Sequence, residues 1–201
     1  MNKTGVYVKM AILLMIAVGG YACAHKPYIG VDYRLPAAAD SLTGQTVFVV
    51  TMDRRSDTEI FDRAAKEKFQ NFSGLFSLSL ALPDHQQKML GVYPLPMLFE
   101  TAIKQRLEKL GVHVTGEPST TVPVFRIMID QFNIRLVGRK WMAEVSYAAS
   151  LTREDQTVAR EVVTGSAERL KVMGRGGAEV VIGEIFSEMI NRLDIERLFR
   201  S

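Results

Sequence analysis

A single cysteine, Cys23, in 201 residues rules out an internal disulfide, and one sulfur cannot build a cysteine metal site. Histidine is almost as rare. His25, His85 and His113 show no pairing that suggests zinc, and no acidic cluster has the spacing of a calcium loop. No metal or cofactor is therefore expected. A nucleophilic hydrolase needs a base within reach of its nucleophile and a group to orient that base, and no motif around these histidines supplies either. An excess of one charge is also missing, with 25 Lys and Arg against 22 Asp and Glu. The uncharged apolar run from Met10 to Val18 is far shorter than the ~20 residues that a membrane-spanning helix requires.

That run has a telling setting. Lys3 and Lys9 precede or adjoin it, Gly19, Gly20, Tyr21 and Ala22 follow, and Cys23 comes next. These are the three parts of an export signal, so residues 1–22 read as a signal peptide. Without Lys3 and Lys9, 23 basic residues face 22 acidic ones, which is too balanced for a nucleic-acid partner. The remainder has the length of one domain. Gly20-Tyr21-Ala22-Cys23 resembles the lipobox of bacterial lipoproteins. The resemblance implies cleavage before Cys23, diacylglycerol on its sulfur and an added palmitate. Ala24, where an Asp would retain the protein at the inner membrane, implies the periplasmic face of the outer membrane. One acyl chain anchors only marginally, and several on one cysteine meet the need for a second signal.

Along the mature chain, residues 23–44 read as the lipidated N-terminus and a linker, given Pro27, Gly30, Pro36 and Gly44. The domain is expected over 45–201. Gln45 to Thr51 is a β-branched run of strand length. Ser56 and Glu59 have capping-box spacing, and Ile60, Phe61, Ala64, Ala65, Phe69 and Phe72 follow at helical intervals, which predicts a helix over 57–71. Phe76, Leu78, Leu80 and Leu82 alternate as in a strand. A helix is expected from Pro94 or Pro96 to Leu110, with Arg106 on or near its wet side and Gly111 as its stop. Three strands follow over 122–136, 140–152 and 158–170, joined by turns at Gly138-Arg139 and Glu154-Asp155-Gln156, hence antiparallel. Trp141 and Tyr147 fall on an apolar face and read as core. Gly174-x-Gly176-Gly177 leads into a last helix with a long apolar stripe from Ala178 to Leu193. The predicted class is α+β: a two-layer sandwich, its antiparallel-rich sheet of four or five strands carrying two main helices on one face, with an inserted helix and strand at about 58–93.

This pattern resembles the YajG-type family of uncharacterised bacterial lipoproteins. The likeness rests on Ala22-Cys23, Ser41-Leu42-x-Gly44-x-x-Val47-x-Val49 and Asp53-x-Arg55-x-Asp57. It continues through Leu98 to Gly111 and Ile127-x-Ile129-x-Gln131-Phe132, then the meander and closing helix. The family brings no activity and no binding residues.

Function is then expected to be binding rather than catalysis. Asp53-Arg54-Arg55-Ser56-Asp57 is the most polar cluster, and it reads as a self-paired turn. The apolar insertion offers more. Phe69, Phe72, Phe76, Leu78 and Leu80 are the candidate partner or lipid contacts, because a large exposed apolar patch marks an interaction site. An exposed strand there would also pair edge to edge. The other reading of the same residues is an extension of the domain's own core. The expected partners are the membrane, through the lipid, and an envelope protein. The alternatives are a carrier of an apolar or lipid ligand, which requires an unfilled cavity beside the insertion, and a hydrolytic enzyme, which requires His85 or His113 to meet carboxylates in a cleft.

Overall fold

The computed structural model describes residues 27–81, 86–170 and 176–200. Cys23, the signal segment, His25, His85 and Gly174 lie outside them.

The chain builds two sheets. Strands β2 (Thr46–Asp53), β5 (His113–Thr115), β6 (Val124–Val137), β7 (Lys140–Arg153) and β8 (Gln156–Leu170) form the larger, in the order β5-β2-β6-β7-β8. Strands β1 (Tyr28–Arg34), β3 (Leu75–Ala81) and β4 (Gln87–Pro94) form the smaller, in the order β1-β3-β4. Helices α1 (Arg63–Lys66), α2 (Leu95–Lys109), α3 (Gly176–Arg192) and α4 (Ile195–Arg200) complete it. The α+β class is as expected.

The antiparallel meander β6-β7-β8 follows from local sequence. Gly138 takes φ +58 between the paired Val137 and Lys140, and Glu154 and Asp155 take φ +47 and +60 between Arg153 and Gln156. Two-residue turns with positive φ match the twist of the strands they join. Alternation then places Phe125, Ile127, Ile129, Phe132 and Ile134 of β6 beside Leu151, Ala149, Tyr147, Val145 and Ala143 of β7 on one face. A β-bulge between Ile129 and Gln131 explains why the pattern shifts near Phe132.

Everything else packs on that face. Phe99 of α2 meets Phe132, Tyr147 and Phe186, the last on α3. Phe76 of β3 meets Phe132, Phe69 meets Trp141, and Phe199 of α4 stacks on Phe125. Such ring pairs contribute ~0.5–1.5 kcal/mol each beyond the area they bury. The smaller sheet thus shares its layer with the helices.

Two sequence expectations are corrected. Residues 28–34 are not linker. Ile29, Val31 and Tyr33 are wholly buried in β1, so the domain begins at Tyr28. Pro27, Gly30 and Pro36 disguised an alternation that was present. The segment after β1 also belongs to the domain: the N–H groups of Ala39 and Leu42 donate to the Lys109 and Leu110 carbonyls, satisfying the end of α2.

The second correction is the helix expected over 57–71. Only α1 is helical there, with Asp62 rather than Ser56 as its N-cap, accepting from Ala65 N at 2.8 Å. The preceding backbone is claimed by β6. Ile134 N donates to Ile60 O at 2.7 Å and Asp62 N to Ile134 O at 3.1 Å, so residues 60–62 run extended.

Candidate functional site

The insertion residues do not form a surface. Phe76 and Leu78 are fully buried, Phe69 and Leu80 are within a few per cent of it, and only Phe72 is partly buried. The reason is topological. β3 lies between β1 and β4, so it has no free edge, and its apolar residues join the common core. Of the two readings of Phe69, Phe72, Phe76, Leu78 and Leu80, the structure corrects the surface one in favour of the core.

A cleft does remain beside them. Phe61, Phe69 and Phe72 line a half-open hollow of about 250 Å³ together with Ile60 and Lys66. Phe61 stacks on Phe69 at 4.6 Å and meets Phe72 edge-on at 5.3 Å. The hollow sits near the start of the domain, because Ser73 N and Oγ both donate to Pro27 O at 2.8 Å.

A second concave region follows α3. Two adjoining clefts, of about 290 and 520 Å³, share Arg34 and Glu184. Their charges are largely matched: Arg169 pairs with Glu184 at 2.6 Å, and Arg192 pairs with Glu188. Beneath them α3 seals the outer edge of β1. Ser187 Oγ donates to Asp32 O and accepts from Arg34 N, both at 3.1 Å, while Asn191 Nδ2 donates to Arg34 O at 2.8 Å. Gly183, one turn earlier, lies over the same strand: a Cβ there would be in ordinary contact with Asp32 N, at 3.4 Å. The sequence signal was a set of small or polar residues at four-residue intervals, Gly183, Ser187 and Asn191, on the flank of the apolar stripe.

The far end of α3 is held by buried polar groups. Tyr147 donates to Met189 O at 2.9 Å, Arg106 donates to Ile190 O, and Tyr33 donates to Asn191 Oδ1 at 2.9 Å. The first two fill backbone carbonyls that a helix C-terminus leaves open, and the third holds the Asn191 side chain. Arg106 is therefore turned inward, against the expectation that it lies on the wet side. Burial raises the hydroxyl pKa of both tyrosines, outweighing the lowering by Arg106. Burial likewise lowers the pKa of Arg106. Both phenols are thus held neutral, as donors to their partners.

The polar turn after β2 is self-paired. Arg55 Nε and Nη2 donate to the two Asp53 oxygens at 2.9 and 2.8 Å. The hydrogen bond from Arg55 holds the Asp53 carboxyl below the usual carboxylate range. Asp57 Oδ1 accepts from Glu59 N at 2.8 Å. Gly177 serves packing: a Cβ there would lie 2.9 Å from both Leu170 O and the Trp141 ring. His113 is exposed on β5. Among the described residues, no group of three His, Cys, Asp or Glu could hold a metal ion, and no helix is long and apolar enough to cross a membrane.

No family model and no curated protein matches the chain. Solved structures do. A Xanthomonas campestris protein is 12% identical, over 83% of this chain and 89% of its own, with a TM-score of 0.48. The minor lipoprotein of Acinetobacter baumannii is 10% identical, over 77% and 95%, with a TM-score of 0.39. Rare lipoprotein B of Shewanella oneidensis is 11% identical, over 47% and 80%, also with a TM-score of 0.39. Bacterial lipoproteins are thus among the structural neighbours of this chain.

Proposed function

We propose that this chain is a lipid-anchored protein of the bacterial cell envelope, held through Cys23 at the periplasmic face of the outer membrane, where it acts by binding and without catalysis. Its role in this reading is that of an accessory in outer-membrane assembly or maintenance, as a relative of the YajG-type lipoproteins. One observation carries it: the sole cysteine stands directly behind a charged, apolar and then small-residue segment. The domain boundary adds a spatial consequence. β1 begins at Tyr28, five residues after Cys23, and a fully extended chain of that length reaches no more than ~18 Å. A lipid on Cys23 therefore holds the Tyr28 end of the domain against the bilayer.

The test is intact mass and membrane fractionation of the wild type beside Cys23→Ser in the native host. A mass increase of several acyl chains on the Cys23 fragment, with the variant lost from the membrane, supports the proposal. An unmodified Cys23, or a variant that fractionates unchanged, removes it.

The hollow at Phe61, Phe69 and Phe72 favours a second reading, a carrier of an apolar or lipid ligand. It is near the end that the tether holds down, and its size is a little under the ~300 Å³ at which ligand pockets begin. Saturable binding of a fluorescent fatty acid, weakened by Phe72→Ala, would support this reading; binding that is absent or unchanged in the variant would end it.

A further inference from the structure

We infer that the outer edge of β8 pairs with the same edge of a second copy, antiparallel about a two-fold axis at Thr164, to join the two larger sheets into one. β8 is an edge strand of 15 residues, and the opposite edge of its sheet, β5, has three. An edge of such length, with no proline and no lysine, is a template for strand pairing. In an antiparallel ladder, alternate residues turn their N–H and C=O to the same side. Thr164 O receives Arg192 Nη1 at 2.9 Å from outside the sheet, so the even-numbered residues from Arg160 to Glu168 face the open edge. Their side chains share the sheet face opposite the core, as Ser146 Oγ and Thr164 Oγ1 show at 3.3 Å.

Even-numbered residues must then meet even-numbered ones, and the sequence selects one register. Centred on Thr164, Arg160 faces Glu168 twice and Val162 faces Ser166 twice; beyond Arg160 a β-bulge at Val158 breaks the alternation. Shifting the centre by one residue sets Arg160 against Ser166 or Leu170, and Glu168 against Val158 or Val162. Only the Thr164 register makes the edge complementary to itself in charge. Val158, Val162 and Leu170 are 39, 58 and 68% exposed, three of the nine large apolar residues that are exposed among those described. Arg160 makes no ion pair among the described residues, and Glu168 has only the exposed Lys140, at 2.8 Å. Pairing from Arg160 to Glu168 forms about ten backbone hydrogen bonds, with the partner's Thr164 N–H taking the place of Arg192. Arg192 keeps Glu188. A two-fold contact of this kind closes on itself, giving a dimer and not a fibre.

The test uses the full chain in detergent. Light scattering of the wild type should give twice the chain mass. Under mild oxidation, Thr164→Cys should form a covalent dimer, because directly opposed residues lie ~5.5 Å apart, within disulfide range. Val158→Cys should not, since its two copies would stand ~40 Å apart, and the wild type, carrying Cys23 alone, sets the background. In the Thr164→Cys chain, Arg160→Glu should lower crosslinking at least five-fold, and Arg160→Glu with Glu168→Arg should restore it. A monomeric mass, Thr164→Cys linking no more than the wild type, or Val158→Cys linking as well as Thr164→Cys would each overturn the proposal. So would a Thr164→Cys chain that links only to a different protein in the envelope fraction, which would give the edge to that protein.

Discussion

β1 and β8 are both outermost strands, and both lie against α3, yet the helix treats them differently. Toward β1 it presents Gly183, Ser187 and Asn191, a glycine over the strand followed by two side chains that take up the strand's free backbone groups. Toward β8 it pairs Glu184 with the Arg169 side chain, but to the strand's outer backbone it offers one exposed arginine on one carbonyl. A short strand near the domain's start is sealed by design, while a strand twice as long is left open. One helix can thus settle which edge of a fold is closed and which remains available, with three residues on one flank.

The comparison can be broken at its root by Phe186→Ala. This ring anchors α3 against Phe99 and Tyr33, so both edges lose their helix, and the expected loss is ~3–5 kcal/mol in urea unfolding. A loss below ~1 kcal/mol would mean that α3 is not held by this contact. The next effect separates the two strands. Ser187→Ala with Asn191→Ala leaves Arg34 N, Arg34 O, Asp32 O and the Tyr33 hydroxyl without these partners, four hydrogen bonds in all, costing ~3 kcal/mol at roughly 0.75 kcal/mol per lost bond. Amide exchange should quicken at the outward-facing amide of Arg34 while β6 and β7 keep their protection. Uniform acceleration throughout would contradict a local seal.

A smaller effect concerns the helix end. Tyr147→Phe should cost ~1–1.5 kcal/mol by leaving Met189 O unfilled. The same tyrosine gives a pH signature. An unfolded tyrosine ionises near pH 10, whereas burial raises Tyr33 and Tyr147 above that value in the folded protein. The folded state then binds more protons, so this contribution is complete below pH 10 and falls as pH rises beyond it. Absorbance of the phenolates of Tyr33 and Tyr147 should appear only with unfolding; their titration in a chain that remains folded would contradict their burial. The smallest expected effect is that of Arg192→Ala, within ~0.5 kcal/mol, since the side chain is half-exposed. The variant should dimerise at least as well as the wild type, because it removes the group that now occupies the β8 edge.

Sequence reading was strongest where local pattern and final structure coincide. The meander, its two turns, α2 and the stripe of α3 all carry their periodicity within one segment. It was weakest where backbone groups are claimed by distant strands. Ile60, Phe61 and Phe69 have helical spacing, but β6 takes the backbone of residues 60–62 into a bridge. The small sheet was missed for the same reason: β1 has the alternation of a strand, but its partner lies 47 residues on, and β4 shows an exposed pattern broken at a bulge beside Gly91. The aromatic residues of the insertion do need cover. What the spacing could not tell was that the cover comes from the domain itself. Arg106 was misplaced because a cation in the last turn of a helix ordinarily faces solvent, and only the neighbouring end of α3 gives it an inward partner.

The closing of β1 by α3 also governs the order in which the chain can be completed. Tyr33 and Asn191 are 158 positions apart, and the parallel ladder of β1 with β3 cannot form from a local turn. Contacts of such wide separation must overcome loop-closure entropy before they return any stabilisation, which makes them slow. β1 therefore leaves the ribosome long before it can be secured, and it waits for Ser187 and Asn191. A nascent chain that has not yet released α3 can therefore complete the local meander of β6, β7 and β8 while β1 still lacks its seal.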